Sequence, residues 1–292
     1  MVVEPVVFPL RRGGVHPVDG RAREVAGATA VHGKVHMQLF EHEAVALQPE
    51  DRLVSAPAGG ARGAGLEPEA GRVEQASATL PRNGASAPAE HQGVIDLRGH
   101  GKSAKPHDPA AYDRAALAGD VLALMDHLDL QKVDLMGYSM GAHVALATAM
   151  QAPDRFWNLI LGGIGGKMLE PSERTDGLAL AMEADDPSTI SNPLYQSFRH
   201  FADEQGEHRL ALAACSRSPR SSLDREALER LGVPTLVVAG TRDDLAGDPR
   251  GLADVIGGAR STLLPGCDHF SAIAHGLYKA AVFDFMDGIL ED

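Results

Sequence analysis

Apolar and polar positions follow one pattern before Gly93 and a different pattern after it. From Val94 onward, short apolar runs alternate with amphipathic stretches. The runs predict strands at 93–97, Lys132–Met136, Leu159–Leu161, Thr235–Ala239 and Ser261–Leu264, and the periodic stretches predict helices at Tyr112–Leu128, Ala142–Met150 and Tyr278–Leu290. Apolar strands that alternate with helices predict a mostly parallel sheet with helices on both faces.

Residues 1–93 lack this pattern. They contain no Ile, Tyr, Trp or Cys and only one lysine, Lys34, and they are rich in Ala, Gly, Arg, Glu, Pro and His. Weak strand signals occur only near the N-terminus and at His36–Leu47. This composition predicts a disordered segment, because the chain cannot bury enough apolar surface to offset its ordering entropy. Without strands from this segment, the strand at 94–97 would lie at an edge of the sheet.

Charge and composition narrow the class of partner. The net charge is −13 over 292 residues, and no basic cluster is present to contact phosphates or anionic lipid. No apolar run approaches the length of about 20 residues that spans a bilayer. The first residues, MVVEPVVFPLRR, do not resemble a signal peptide, which favours a cytoplasmic protein. Cys215 and Cys267 lie far apart, which favours free thiols.

The pentapeptide Gly137-Tyr138-Ser139-Met140-Gly141 follows a predicted strand and precedes a predicted helix. A nucleophilic serine needs such a sharp, strained turn, and flanking glycines leave room for the neighbouring backbone. Alone, the pentapeptide could arise by chance in a glycine-rich chain. Its position between a strand and a helix makes Ser139 a candidate nucleophile and the N–H of Met140 a candidate oxyanion donor.

A serine nucleophile needs a base and an orienting carboxylate. Thr241-Arg242-Asp243-Asp244 follows the predicted strand at 235–239, and Cys267-Asp268-His269-Phe270 follows the strand at 261–264. The order Ser, Asp, His fits loops that meet over one edge of a doubly wound sheet. We therefore expect His269 to be the base and Asp243 the carboxylate, with Asp244 as the alternative carboxylate.

The histidines do not indicate a metal site. His32, His36 and His42 match neither the HExxH pattern nor any tight ligand spacing, and we predict that the protein has no metal and no cofactor.

Four motifs together resemble the α/β-hydrolase fold family over residues 94–292. They are DLRGHGKS (Asp96–Ser103), GYSMGA (Gly137–Ala142), AGTRDD (Ala239–Asp244) and PGCDHF (Pro265–Phe270). The resemblance implies a serine hydrolase acting on a small-molecule substrate, of the esterase, lipase, C–C hydrolase or perhydrolase kind. It also implies that residues 162–231 form a cap over the site.

The N-terminal third departs from the family pattern. Relatives have an apolar strand ending in His-Gly, whose loop supplies a second oxyanion donor. The corresponding window, Ala61–Gly71, has neither feature, and the only His-Gly dipeptide, His32-Gly33, lies far upstream. N-terminal strands are therefore expected to be missing or replaced. We hypothesise that residues 1–93 are read in a shifted frame or from a miscalled start, which the upstream nucleotide sequence would test.

Three readings of function follow. The first is hydrolysis of a carboxylic ester or related acyl substrate through Ser139, His269 and Asp243. The second is a cofactor-free perhydrolase that oxidises halides through a peracid. The third is a catalytically impaired hydrolase-like protein that lacks a complete oxyanion hole. The sequence leaves the substrate and the oligomeric state open.

Overall fold

A computed structural model describes residues 35–40, 77–79, 91–170, 176–219 and 223–288. The strands of these residues form one seven-stranded sheet with the order β2-β3-β1-β4-β5-β6-β7. All neighbouring strands are parallel except β2 and β3, which are antiparallel. The strands are β1 (Val35–Phe40), β2 (Ser77–Thr79), β3 (His91–Asp96), β4 (Val133–Tyr138), β5 (Phe156–Gly162), β6 (Thr235–Gly240) and β7 (Arg260–Leu264).

Each helix predicted from periodicity is present, with shifted ends. The helices are α1 (Arg114–His127), α2 (Met140–Gln151), α3 (Gly177–Glu183), α4 (Pro193–Glu204), α5 (Arg209–Ser216), α6 (Arg225–Glu229), α7 (Pro249–Ala253) and α8 (Gly276–Met286). Helix α1 begins two residues later than predicted because the Asp113 side chain caps it and Tyr112 belongs to a preceding 3-10 turn. The apolar stripe of α1 is buried as expected at Leu117, Val121, Leu124 and Met125.

Two strands come from the N-terminal segment, and they change the expected position of β3. Val35–Phe40 forms β1 between β3 and β4, and Ser77–Thr79 forms β2 on the other side of β3. The expectation that the strand near 94–97 is a sheet edge is therefore wrong. The predicted strand near the N-terminus and the His32-Gly33 dipeptide lie outside the described residues. The reading-frame hypothesis for residues 1–93 stays a prediction.

The central strands are buried because helices cover both faces of the sheet. Strands β4 and β6 are buried at every position, and the main core cluster joins them to α1, α2 and α7. A second cluster packs α8 against the other face, around Tyr138, Tyr278 and Phe285. Near-continuous apolar strands are typical of a sheet covered in this way.

A buried ion pair attaches α1 to the turn that follows β3. Arg98 Nη2 and Nε lie 2.7 and 3.0 Å from the two carboxylate oxygens of Asp120, and Arg98 also donates to the carbonyl of Ala111. Both charged side chains are almost completely buried. The bidentate geometry satisfies both groups where water cannot reach them.

Residues 163–234, between β5 and β6, form a helical excursion that contains α3 to α6. Its small core consists of Ala179, Met182, Ala202, Leu212 and Ala213. The buried guanidinium of Arg199 in α4 donates to the carbonyls of Ala181 and Ala184 at the C-terminal end of α3. A cation at this end of a helix satisfies carbonyls that have no partner within the helix.

Candidate active site

The predicted nucleophile lies in a strained turn between β4 and α2. Ser139 has φ +51° and ψ −116°, in a region that a non-glycine residue rarely adopts. A Cβ on Gly137 would lie 2.2 Å from the backbone oxygen of Gly141, so the elbow closes only with glycine at position 137. The predicted need for a glycine at 137 therefore has a direct cause, which is the backbone of α2 one turn away.

The three predicted side chains lie in one hydrogen-bonded chain. His269 Nε2 is 2.9 Å from Ser139 Oγ, and His269 Nδ1 is 2.9 and 3.0 Å from the two carboxylate oxygens of Asp243. His269 and Asp243 are both buried. Residues 130 and 26 positions apart are brought together because β4, β6 and β7 are parallel and end at the same edge of the sheet.

The turn after β6 selects between the two candidate carboxylates. Asp243 is 3% exposed, and its Oδ1 also accepts hydrogen bonds from the N–H groups of Leu245 and Ala246, at 3.1 and 3.0 Å. These bonds hold the carboxylate toward His269. The side chain of Asp244 is exposed instead. The structure therefore places Asp243, and not Asp244, against the imidazole.

The histidine loop is attached to the end of β6 through its backbone. The N–H of Arg242 donates to the carbonyl of Cys267 at 2.8 Å, and the N–H of Gly266 donates to Thr241 Oγ1 at 2.8 Å. A Cβ on Gly240 would lie 2.2 Å from the Cys267 carbonyl oxygen. Glycine at the end of β6 thus allows the acid and histidine loops to approach closely.

One predicted oxyanion donor stands at the expected place in the fold. Met140 is the first residue of α2, where N–H groups have no carbonyl partner within the helix. The Met140 sulfur is 3.5 Å from Cys215 Sγ of α5, so the helical excursion reaches the elbow. Cys215 and Cys267 are both free thiols.

The second oxyanion donor stays unassigned, because the segments that could supply it lie outside the described residues. The strand beside β4 is β1, which pairs Leu39 with Gly137, and it lies well before the window at residues 61–71. The residues that follow Phe40 begin with Glu41-His42-Glu43, and His32-Gly33 comes before the strand and not after it. Both segments lie outside the described residues.

Three contacts of His269 carry no sequence signal. Phe198 of α4 and Phe270 place their rings 6.4 and 5.7 Å from the imidazole, and 5.4 Å from each other, in edge-on geometry. Tyr138, between the elbow glycine and Ser139, donates its hydroxyl to the His269 carbonyl. No spacing rule predicts these contacts, because they depend on how the excursion and the elbow pack against one loop.

The turn after β3, predicted from the DLRGHGKS motif, supports the site from below the excursion. The N–H of Lys102 donates to Asp96, and Ser103 Oγ donates to the Asp96 carbonyl. The N–H of Gly101 donates to Glu207 in the excursion, at 3.0 and 3.1 Å from its two carboxylate oxygens. Burial lowers the pKa of His100 in this turn to about 4, which keeps the ring neutral near pH 7.

Within the described residues, no group of three or more His, Cys, Asp or Glu side chains is arranged to hold a metal ion. In the same part of the chain, none of the helices combines the length and the apolar character that crossing a bilayer requires.

Comparison with known proteins agrees with the fold. A family model described as the alpha/beta hydrolase fold matches residues 93–200. The chain is 27% identical over 212 residues to a 2-hydroxymuconate semialdehyde hydrolase of Pseudomonas sp. (strain CF600), covering 65% of this chain and 74% of that protein. It is 29% identical over 161 residues to a 3-oxoadipate enol-lactonase 2 of Acinetobacter baylyi, covering 51% of this chain and 60% of that protein.

Among solved structures, the enol-lactonase from Burkholderia xenovorans LB400 is similar with a TM-score of 0.55 and 25% identity. The match covers 68% of this chain and 81% of that one. The parallel sheet, the strand-turn-helix elbow and these matches agree with the resemblance seen in residues 94–292. The described part of the chain has the α/β-hydrolase fold, and the chain resembles proteins of that family.

Proposed function

We propose that the protein is a serine hydrolase that cleaves a carboxylic ester or a related acyl substrate. The observation that carries this proposal is the continuous hydrogen-bonded chain from Asp243 through His269 to Ser139 at the strained elbow. The 2.9 Å separation of Ser139 Oγ and His269 Nε2 is within reach for proton transfer from the hydroxyl to the imidazole. The relatives include a semialdehyde hydrolase and enol-lactonases, which supports hydrolysis in general.

In the proposed mechanism, Ser139 Oγ attacks the carbonyl carbon of the substrate while His269 Nε2 takes its proton. Asp243 accepts a hydrogen bond from the Nδ1–H of His269, which holds that tautomer and stabilises the imidazolium that forms. The protonated imidazole then gives its proton to the leaving group. Water, activated by the same histidine, hydrolyses the acyl-enzyme and restores the hydroxyl of Ser139.

The negative charge that develops on the carbonyl oxygen needs preorganised donors. The N–H of Met140 is the proposed first donor, supported by its position at the start of α2. The second donor stays unassigned. Removal of one such donor typically lowers kcat about 10²- to 10³-fold.

We assign residues 162–231 the role of a cap that selects the substrate. Two side chains from helices of the excursion support this role: Phe198 contacts His269, and Cys215 approaches Met140. The aromatic pair Phe198 and Phe270 beside the imidazole favours an apolar acyl group. A small-molecule substrate in the cytoplasm remains our prediction.

The first test compares Ser139→Ala with Ser188→Ala, an exposed serine in the excursion. Hydrolysis of p-nitrophenyl acetate and butyrate should be lost in Ser139→Ala and retained in Ser188→Ala. A fluorophosphonate probe should label the wild type at Ser139, as located by peptide mass spectrometry. Hydrolysis that survives in Ser139→Ala, or a label on another serine, would overturn the assignment of the nucleophile.

The same protein preparations test the two other readings. Halide oxidation that depends on acetate and peroxide, at a rate above ester hydrolysis, would favour the perhydrolase. An absence of both probe labelling and ester hydrolysis in the folded wild type would favour an impaired hydrolase-like protein.

A further inference from the structure

Tyr138 connects the nucleophile elbow to the histidine loop. It precedes Ser139 in the chain, and its hydroxyl donates a 2.6 Å hydrogen bond to the backbone carbonyl of His269. Its ring is also packed against the imidazole, with 5.5 Å between the centroids. The side chain next to the proposed nucleophile therefore holds the backbone of the proposed base.

The ring of Tyr138 has little freedom to move. It is 7% exposed, and a Cβ on Gly163, which has φ +66°, would lie 2.8 Å from its Cε1 and Cζ atoms. A Cβ on Gly162 would lie 2.6 Å from its Cδ2 atom. The backbone of Gly162 and Gly163, at the end of β5, is thus packed closely against the ring of Tyr138.

The hydroxyl of Tyr138 remains a donor over the working pH range. Burial, followed by nearby Tyr278 and Asp243, raises the pKa of Tyr138 well above its usual value. A phenol that keeps its proton offers a permanent O–H to the carbonyl of His269. The bond therefore holds the histidine backbone in both protonation states of the imidazole.

We propose that Tyr138 is a positioning residue that sets the separation and alignment of Ser139 Oγ and His269 Nε2 through the His269 carbonyl. This inference rests on the proposed function, because the residue acts only through the proposed nucleophile and base. The loop around His269 keeps its other anchors without this bond, including Arg242 N–H to the Cys267 carbonyl and Gly266 N–H to Thr241. Removal of the hydroxyl should therefore misalign the base in a protein that still folds.

A second buried tyrosine provides a matched control. The ring centroid of Tyr278 lies 6.1 Å from that of Tyr138, and Tyr278 is fully buried. Its hydroxyl has no hydrogen-bond partner among the described residues. Tyr138→Phe and Tyr278→Phe remove the same atom from the same core cluster, but only the first removes a bond to the histidine loop.

The experiment measures kcat and KM for p-nitrophenyl butyrate in the wild type and both variants, well below their melting midpoints. Active-site titration with a fluorophosphonate normalises each rate. Tyr138→Phe should lower kcat about 10- to 100-fold, as a small misplacement of reacting groups can do, with KM within about twofold of the wild type. Tyr278→Phe should keep both constants within about twofold. The rate of fluorophosphonate labelling should fall in parallel with kcat.

The positioning role would be overturned if kcat falls by less than about tenfold in Tyr138→Phe. It would also be overturned if kcat falls equally in Tyr278→Phe. Failure of the proposed function has a different signature, because the wild type itself would then neither label nor hydrolyse the ester. If Tyr138→Phe does not fold, Tyr138→Met replaces it, since it keeps an apolar side chain without the hydroxyl. The same limits then apply.

Discussion

The sheet and the helical excursion at residues 163–234 have cores built from different side chains. Strands β4 and β6 are buried at every position and are surrounded by large aliphatic and aromatic side chains. The core of the excursion is mostly alanine, and its ion pairs, such as Arg217 with Glu183, are partly exposed. The sheet can hold reacting groups within tenths of an ångström because close-packed interiors resist displacement.

In the proposed enzyme, the sheet positions the catalytic side chains and the excursion contributes to substrate selection. Ser139, Asp243 and His269 follow strands of the sheet, while Phe198 is supplied by the excursion. Substitutions at strand ends should therefore change turnover or stability strongly. Substitutions in the excursion should change the preference among substrates while the chemistry continues. Four predictions test this division, starting with the largest expected effect.

Replacement of Asp243 by Asn should lower kcat about 10⁴-fold, because the amide can no longer hold the histidine in the tautomer that accepts the serine proton. The matched control is Asp244→Asn, whose side chain is exposed one residue further on. It should retain kcat within about twofold. Steady-state hydrolysis of a p-nitrophenyl ester measures both. Equal losses in the two variants would contradict the assignment of the carboxylate.

Replacement of Asp120 by Ala should lower the free energy of unfolding by about 3–5 kcal/mol, because it leaves the buried guanidinium of Arg98 without its ion-pair partner. The control on the same helix is Asp126→Ala. Asp126 is 66% exposed and pairs with Arg155, so its loss should change the free energy by about 1 kcal/mol or less. Urea denaturation measures both changes, and similar losses would contradict a rigid core at this turn.

The free energy of unfolding should fall as the pH decreases from about 6.5 to about 4, because His100 stays neutral in the fold and takes up a proton once unfolded. Burial lowers its pKa to about 4, against the counteracting bond to the Arg98 carbonyl. The contribution reaches about 3 kcal/mol and does not grow further below pH 4. Urea titrations of the wild type and His100→Asn over this range isolate it.

His127→Asn is the control for the pH experiment, since His127 is exposed in the last turn of α1. It should keep the dependence of the wild type. An equal slope in the wild type and His100→Asn would show that the protonation of other groups causes the loss.

Replacement of Phe198 by Ala should raise KM about 3- to 10-fold for p-nitrophenyl esters of longer acyl chains and leave kcat within about twofold. Its ring lies against His269 and Phe270, so its truncation removes apolar surface that a long acyl chain would contact. Leu210→Ala, a half-exposed apolar residue of α5, is the control and should change neither constant. A large loss of kcat in Phe198→Ala would contradict the division between sheet and excursion.

Much of the fold was predictable because the signals are local. The apolar runs that became β4 and β6 are bounded by glycine or proline, and the stripe of Leu117, Val121 and Leu124 has the helical period. The strand β1 could not be placed in the same way. Its run VHMQLF has little β-branched character, and it gains its position only by pairing with β3 and β4.

Residue type and order in the sequence predicted the three candidate catalytic side chains, but not the hydrogen bonds that hold them in place. Glycines around Ser139, and the carboxylate and imidazole after later strands, are required by the chemistry and can be read from the sequence. The choice of Asp243 over Asp244 depends on hydrogen bonds from Leu245 and Ala246. Short-range spacing does not report such bonds, because they form only once the turn has closed.

The sequence by itself determined the alternation of strands and helices, the strained elbow and the order of the three candidate side chains, since propensity and turn chemistry act between near neighbours. Only the tertiary structure decided that β1 separates β3 from β4, that Tyr138 holds the backbone of His269, and that Phe198 lies against the imidazole. These relations join residues that are distant in the chain. They arise from the packing of whole elements, where small differences in burial select among many arrangements that local preferences allow equally.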